Sequence, residues 1–163
     1  MKRIIFLCLF LIPVLSMGQG LWSVKTSFPG TTREVATGFS VGGKGYIGLG
    51  RSPGQDIRED FWQYDVQNDT WTQVANYGGG VRYGAASFVI NDTAYVGTGW
   101  DVSAQHNDFW KYDAGQNIWI QVADYIGNPS YSNVGVALNG KGYVGIGYSP
   151  YNNHWFEYDP AAD

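Results

Sequence analysis

The 163-residue chain carries 17% aromatic and only 15% charged residues, with a formal net charge of −4. Typical soluble domains have about 25% charged residues, so this composition favours sheets packed face to face with large rings between them. No segment is rich in Lys or Arg, which argues against nucleic acid and anionic membrane surfaces as partners.

Residues 1–18 have the pattern of a secretory signal peptide. A basic pair precedes the apolar run Ile4 to Leu15, which is too short to span a bilayer. Small residues, Ser16 and Gly18, stand where a signal peptidase would require them for cleavage before Gln19. We therefore predict an exported chain that is secreted, periplasmic or held at the cell surface, and that is not transmembrane.

Cleavage would remove Cys8, the chain's only cysteine. Cys8 lies inside the apolar run, too early for a lipid-attachment site. The exported chain would then have a net charge of 8 − 14 = −6 and no disulfide, thiolate ligand or cysteine nucleophile. Packing alone must hold such a chain together.

The rest of the chain repeats with a period of 48 or 49 residues. Each copy has a glycine-ended apolar run, then a motif such as DFWQYD, then a Trp. A fixed period near fifty, built of short apolar runs and glycine turns, predicts stacked copies of one small sheet. The recurring positions are Tyr46, Gly48, Gly50, Trp62, Tyr64 and Trp71, then Tyr95, Gly97, Gly99, Trp110, Tyr112 and Trp119, then Tyr143, Gly145, Gly147, Phe156 and Tyr158.

Each repeat has the pattern of four short strands joined by turns. In the first copy these strands are predicted at residues 35–41, 46–50, 61–64 and 70–74. Four antiparallel strands per repeat describe one blade of a β-propeller. We predict an all-β fold over residues 19–163 with about three four-stranded blades, at residues 33–74, 82–122 and 131–159 plus 21–25.

The recurring glycines and rings are assigned to packing between blades. Gly48 and Gly50 are expected to share a strand face with Tyr46, where small residues would let a ring from the next blade approach the backbone. A phosphate-binding role for these glycines is disfavoured, because no helix follows them. Asp65 and its equivalents are expected to accept backbone N–H bonds at the turns.

These motifs resemble kelch repeats over essentially all of residues 21–163. The kelch pattern pairs a glycine-ended strand with a Tyr and a Trp separated by six residues, as Tyr64 and Trp71 are here. The form is similar to exported bacterial kelch proteins with a galactose-oxidase-like propeller. The resemblance does not carry over that enzyme's copper site, because the mature chain has no Cys and only His106 and His154.

The two ends of the repeat series match each other. Trp22 lies 49 residues before Trp71 and marks a lone fourth strand, whereas the last copy lacks its fourth strand. The N-terminal strand could therefore complete the last blade. Propellers usually have four to eight blades, so the sequence favours a fragment that continues into further blades after Asp163. Two chains in a six-bladed ring, or an open arc of three blades, are the alternatives.

Function is expected where the repeats differ. Arg33 and Arg82 are expected to start the innermost strands and to point toward the channel mouth, with Tyr131 in their place in the third copy. The loops between second and third strands add further candidates, which are not a repeated set. The candidate binding residues are Arg33, Arg51, Arg82, Trp100, His106, Tyr131, Tyr148 and Tyr151.

The first functional hypothesis is a non-catalytic binding module for a glycan, peptide or cell-surface partner. Trp100, Tyr148 and Tyr151 would stack on the ligand, and Arg33 and Arg82 would supply hydrogen bonds. No Ser-His-Asp set, metal-ligand spacing or cofactor loop is present in the sequence, so we expect no cofactor and no metal.

The second hypothesis is an enzyme acting on sugars, which the resemblance to bacterial kelch sialic-acid mutarotases implies. It would need an acid or base such as Glu34, Glu59 or His106. A third possibility is a purely structural propeller section within a larger exported protein. The sequence favours binding over catalysis.

Overall fold

A computed structural model describes residues 20–148 and 153–163. The predicted signal peptide and Tyr151 lie outside the described residues. Within them no helix is long and apolar enough to cross a membrane. The strands are β1 Thr37–Val41, β2 Lys44–Gly48, β3 Phe61–Asp65, β4 Thr70–Val74, β5 Ala86–Ile90, β6 Thr93–Gly97, β7 Phe109–Asp113, β8 Ile118–Val122, β9 Val134–Leu138, β10 Lys141–Gly145 and β11 Trp155–Tyr158.

These strands form three antiparallel sheets, one for each repeat. The first two have the orders β1-β2-β3-β4 and β5-β6-β7-β8, and the third has the order β9-β10-β11 among the described residues. The prediction of an all-β fold with three blade-like sheets is confirmed.

Tight hairpins set the register of each blade. Gly42 and Gly43 join β1 to β2 with φ of 59° and 70°, and Asn91 and Asp92 join β5 to β6 with φ of 48° and 62°. Two-residue turns of this hand need positive φ at both positions, which Gly, Asn and Asp adopt at least cost. The turn therefore fixes which side chains face each side of the blade.

The blades stack side by side through their first strands. Strand β1 contacts β5, and β5 contacts β9, whereas β1 and β9 share no contact. The described part of the chain is therefore an open arc of three blades, in which only the middle blade is covered on both faces.

A tryptophan from the outermost strand fills the gap between the first two blades. Trp119 of β8 lies 6.2 Å from Phe39, 5.0 Å from Phe61 and 5.1 Å from Tyr77, measured between ring centroids. Its fourth neighbour is Tyr112 of its own blade, at 4.9 Å. Five-residue strands cannot form a stable sheet alone, so this packing joins the blades into one unit.

The second glycine of each pair lies beyond the strand. Leu49 and Gly50 have φ of 58° and 89°, so β2 ends before them and Gly50 does not share a strand face with Tyr46. A Cβ at Gly48 would collide with the ring of Phe61. The expectation of a ring from the next blade is therefore wrong, because the ring comes from the neighbouring strand of the same blade.

In the single chain, residues 21–25 do not complete the third blade. They form no strand, and Trp22 is fully exposed. The segment that follows is held on the first blade, where the Thr26 N–H donates to Asp69 and the Trp71 indole donates to the Thr26 carbonyl, both at 3.0 Å. Since the first and third blades do not touch, this segment starts far from the unfinished sheet.

Replacing Trp119 by Ala should lower the free energy of unfolding by about 3–5 kcal/mol, because it empties the space between two blades. Ile118→Ala, one residue earlier in β8 at a position 41% exposed, should change it by less than about 1 kcal/mol. Urea unfolding followed by circular dichroism measures both. Equal effects of the two substitutions would contradict the packing role of Trp119.

Candidate functional site

One backbone bridge recurs beside the inner strand of every blade. It joins a residue shortly before the first strand to a residue shortly after the second strand. Because β1, β5 and β9 are neighbours, the three bridges lie in sequence along one face of the arc. The bridged pairs are Glu34 with Arg51, Tyr83 with Trp100, and Tyr131 with Tyr148.

Side chains at these bridges form a continuous row of rings. The Arg51 guanidinium lies 4.9 Å from the centre of the Tyr83 ring. Tyr83 lies 5.7 Å from Trp100 and 5.8 Å from Tyr131. Trp100 and Tyr131 are 5.3 Å apart, and Tyr131 and Tyr148 are 5.2 Å apart. We call these five residues the aromatic row.

The rings of the aromatic row range from buried to exposed. Tyr83 is buried, Trp100 and Tyr131 are half-buried, and Tyr148 is 40% exposed. Burial raises the pKa of Tyr83, although Arg51 opposes the shift. Rigid, partly exposed Tyr and Trp rings offer large contact area at low entropic cost, so the row is suited to binding a flat or ring-shaped ligand.

A charged pair stands at the first-blade end of the aromatic row. Arg51 Nε donates to Glu34 Oε1 at 2.7 Å, and the two side chains are 32% and 62% exposed. At this exposure the pair adds little to stability. Its guanidinium and carboxylate are instead accessible polar groups beside the rings.

The loop after β6 folds back beside the row and fixes His106. Trp100 bridges to Gln105, and His106 bridges to Ser130. His106 Nε2 lies 3.0 Å from Asp101 Oδ2. Hydrogen bonds from the Ser103 side chain, from backbone N–H groups and from His106 hold the pKa of Asp101 well below its usual range.

The acid–base candidates are therefore dispersed. Glu34 lies at the row, whereas His106 is held by Asp101 and Glu59 accepts a hydrogen bond from Asn76 Nδ2 at 2.9 Å. Among the described residues no group of three or more His, Cys, Asp or Glu is placed to hold a metal ion.

Arg33 and Arg82 do not start the inner strands, and their side chains are buried. The strands begin four residues later, and the two arginine side chains are only 5% and 2% exposed. Arg33 binds Asp60 through two hydrogen bonds, of 2.7 and 2.9 Å, and Arg82 binds Asp108 in the same way. A buried guanidinium needs a paired carboxylate, and these pairs provide it.

Ser130, not Tyr131, is the third-copy equivalent of Arg82. The Gly50 N–H donates to the Arg82 carbonyl at 2.7 Å. One repeat later, the equivalent Gly99 N–H donates to the Ser130 carbonyl at the same distance. The third blade therefore has Ser130 and His154 where the second has its Arg–Asp pair. Tyr131 matches Tyr83, the central residue of the row. Tyr83 is absent from the binding residues predicted from the sequence, because aligning Tyr131 with Arg82 shifts the repeats by one residue.

Comparison with known proteins supports a propeller fold. No family model matches the chain. A 78-residue segment is 31% identical to the N-acetylneuraminate epimerase of Yersinia enterocolitica, covering 44% of this chain and 20% of that protein. A solved structure described as "Structure of YjhT" superposes with a TM-score of 0.70 at 23% identity, over 86% of this chain and 52% of that one.

The chain thus spans about half of the solved structure and a fifth of the curated relative. The superposition confirms that the three sheets form part of a β-propeller. Together with the repeat motifs, the similarities support a propeller of the kelch type.

Acid titration should reveal the buried Arg82–Asp108 pair. Burial opposes ionisation of Asp108, but hydrogen bonds from Arg82 and Trp110 still hold its pKa below the usual range. The pair therefore stabilises the fold above about pH 4, and this contribution is lost as the pH falls through the lowered value.

Asp108→Asn should lower stability at neutral pH and make the free energy of unfolding less dependent on pH below about 4. The measurement is urea unfolding between about pH 6 and pH 2.5. Asp56→Asn, at an aspartate 73% exposed, is the control and should keep the acid dependence of the parent chain. An unchanged acid slope in Asp108→Asn would show that the pair is not stabilising.

Proposed function

We propose that the chain is an exported sugar-binding module whose ligand lies against the aromatic row. The observation that carries this proposal is the row itself, a line of rings spaced by 5.2–5.8 Å with a charged pair at one end. It lies where the repeats differ, and repeat proteins vary in sequence where they bind.

The chemistry of the row suits a sugar. Pyranose rings have apolar C–H faces that pack on Trp and Tyr rings, and Trp100 and Tyr148 present such surfaces. Around the ring edge a sugar needs hydrogen-bonding groups, which the Tyr131 and Tyr148 phenols and the Glu34 carboxylate would supply. Tyr151, in the loop after β10, is proposed to extend this surface.

The proposed ligand class is an acidic sugar, with Arg51 as the partner of its carboxylate. Arg51 lies beside Glu34 at the first-blade end of the row. Its planar guanidinium matches the geometry of a carboxylate. The relative named as an N-acetylneuraminate epimerase acts, by its name, on such a sugar. A peptide or cell-surface protein with an acidic aromatic-binding segment is the alternative ligand.

Trp100→Ala should weaken binding of N-acetylneuraminate by at least about tenfold, equivalent to about 1.4 kcal/mol, because it removes a half-buried ring on which the sugar is proposed to stack. Isothermal titration calorimetry measures the affinity, and a glycan array identifies better ligands if that of the free sugar is low. Val102→Ala, at an exposed apolar residue of the same loop, is the matched control. Equal affinity of Trp100→Ala and the parent chain for every ligand would overturn the proposal.

A second candidate function is catalysis on the same sugar, and the specific observation that favours it is the similarity to the named epimerase. Glu34 is the group best placed to move a proton, since its carboxylate is 62% exposed at the row and is oriented by Arg51. Proton transfer of this kind typically contributes about 10²–10⁴-fold to a rate.

Exchange between the anomers of N-acetylneuraminate, followed by NMR, tests for catalysis. An enzyme should exceed the buffer rate, and Glu34→Gln should remove most of the acceleration while Glu59→Gln keeps it. A parent chain that binds the sugar without accelerating exchange would leave the binding module as the function.

A further inference from the structure

The second and third blades are built around equivalent sets of four rings. Around Trp119 these are Phe39 and Phe61 of the preceding blade, Tyr77 of the connecting loop and Tyr112 of its own blade. One repeat later the same positions are Phe88, Phe109, Tyr125 and Tyr158. This second set has no tryptophan between its rings among the described residues.

A cavity of about 320 Å³ occupies the place of that tryptophan. Its walls include all four rings of the second set, together with Val122, Ala123 and Phe156. We call this cavity the third socket. Its lining is the repeat-equivalent of a site that holds an indole ring in the same chain.

The polar groups of the third socket are also in place. In the first two blades the indole N–H donates to the carbonyl of Thr26 or Ala75, at 3.0 and 3.2 Å. Ala123 is the third equivalent, and its N–H is bound by Asp163 at 2.8 Å, as the Ala75 N–H is by Asn117. The Ala123 carbonyl is therefore positioned to accept one indole N–H.

The chain carries one segment that fits this socket. Residues 21–25 align with the fourth strands Thr70–Val74 and Ile118–Val122, and Trp22 aligns with their tryptophans. In the single chain Trp22 is fully exposed. Leu21 and Val24 beside it are also fully exposed, and contiguous exposed apolar residues of this kind mark interaction sites.

The chain cannot insert this segment into its own third socket without leaving the first blade. Thr26, directly after it, is fixed there by Asp69 and Trp71. The first and third blades lie at opposite ends of the arc, with no contact between β1 and β9. A Trp22 that fills the third socket must therefore come from a second copy of the chain.

Each terminal face of the arc exposes apolar side chains whose repeat equivalents are buried between blades. Val134, Val136 and Leu138 of β9 are exposed, whereas their second-blade equivalents are buried under the third blade. At the other end Ile47 is exposed, whereas its equivalents Val96 and Val144 are buried. One face thus lacks a following blade, and the other lacks a preceding blade.

We propose that two copies of the chain exchange residues 21–25 and close into one six-bladed ring. Each copy's Trp22 fills the other's third socket, and its strand pairs with the edge of β11. In the second blade, Tyr112 of β7 pairs with Trp119 of β8. Tyr158 and Trp22 are their repeat equivalents, so Trp22 is expected to pair with Tyr158. Two arcs of three blades give six, within the four to eight of known propellers.

The exchange also completes the surroundings of Trp71. This ring packs on Phe28 and Tyr64 of its own copy. In the six-bladed dimer, Val136 and Trp155 of the second copy would contact the Trp71 indole, because they are the repeat equivalents of Phe39 and Phe61. The contact is reciprocal, as a two-fold interface requires.

Light scattering after gel filtration of the purified full chain tests the proposal. The parent chain should have twice the mass of one chain, and Trp22→Ala should shift it to single chains, with at least about a hundredfold weaker association. Trp22→Phe should associate with intermediate strength. Circular dichroism should still show a folded all-β chain, because Trp22 makes no contact that the fold of one chain requires and only residues 21–25 lose their strand.

Leu21→Ala is the matched control. The equivalent position, Ile118, stays 41% exposed in its blade, so inserted strands should tolerate this change, whereas non-specific hydrophobic association should not. A synthetic peptide of residues 20–27 should bind the Trp22→Ala chain and dissociate the parent dimer. A parent chain that stays monomeric, forms assemblies larger than two, or responds equally to Leu21→Ala and Trp22→Ala would overturn the proposal.

Discussion

The insertion of a tryptophan between neighbouring blades is the contact on which this fold depends. Strands of five residues and two-residue hairpins make sheets that cannot stand alone. Trp119 joins the rings of two blades into one core, and its hydrogen bond to the Ala75 carbonyl fixes the depth of insertion. Each blade therefore needs a neighbour, and an arc of three leaves two faces and one socket unfilled.

The same stacking brings the variable residues together. The bridges beside β1, β5 and β9 are equivalent in backbone, so any side chains placed there become neighbours across the blades. The first blade has a charged pair at its bridge and the other two have aromatic pairs. The aromatic row is thus a product of repetition in the backbone and variation in the side chains.

The sequence predicted the strands, hairpins and blades because alternation and turn chemistry are local. It failed where the deciding contact is distant or conformational. Arg82 is buried because Asp108, 26 residues away, pairs with it, and Gly50 leaves the strand through a positive φ. Tyr83 was missed because the copies are separated by 49 and then 48 residues, a difference that shifted the alignment by one. The third socket needed coordinates, since four rings from four different segments line it.

In the proposed dimer, the Trp22 of a second copy completes the third blade. The most direct measurement is an isotope-filtered NOE experiment on a mixture of labelled and unlabelled chains. Strand exchange predicts NOEs between the Trp22 indole of one molecule and the Phe88 and Tyr158 rings of another. A mixture with no intermolecular NOE to Trp22, or with its indole in contact only with its own chain, would contradict it.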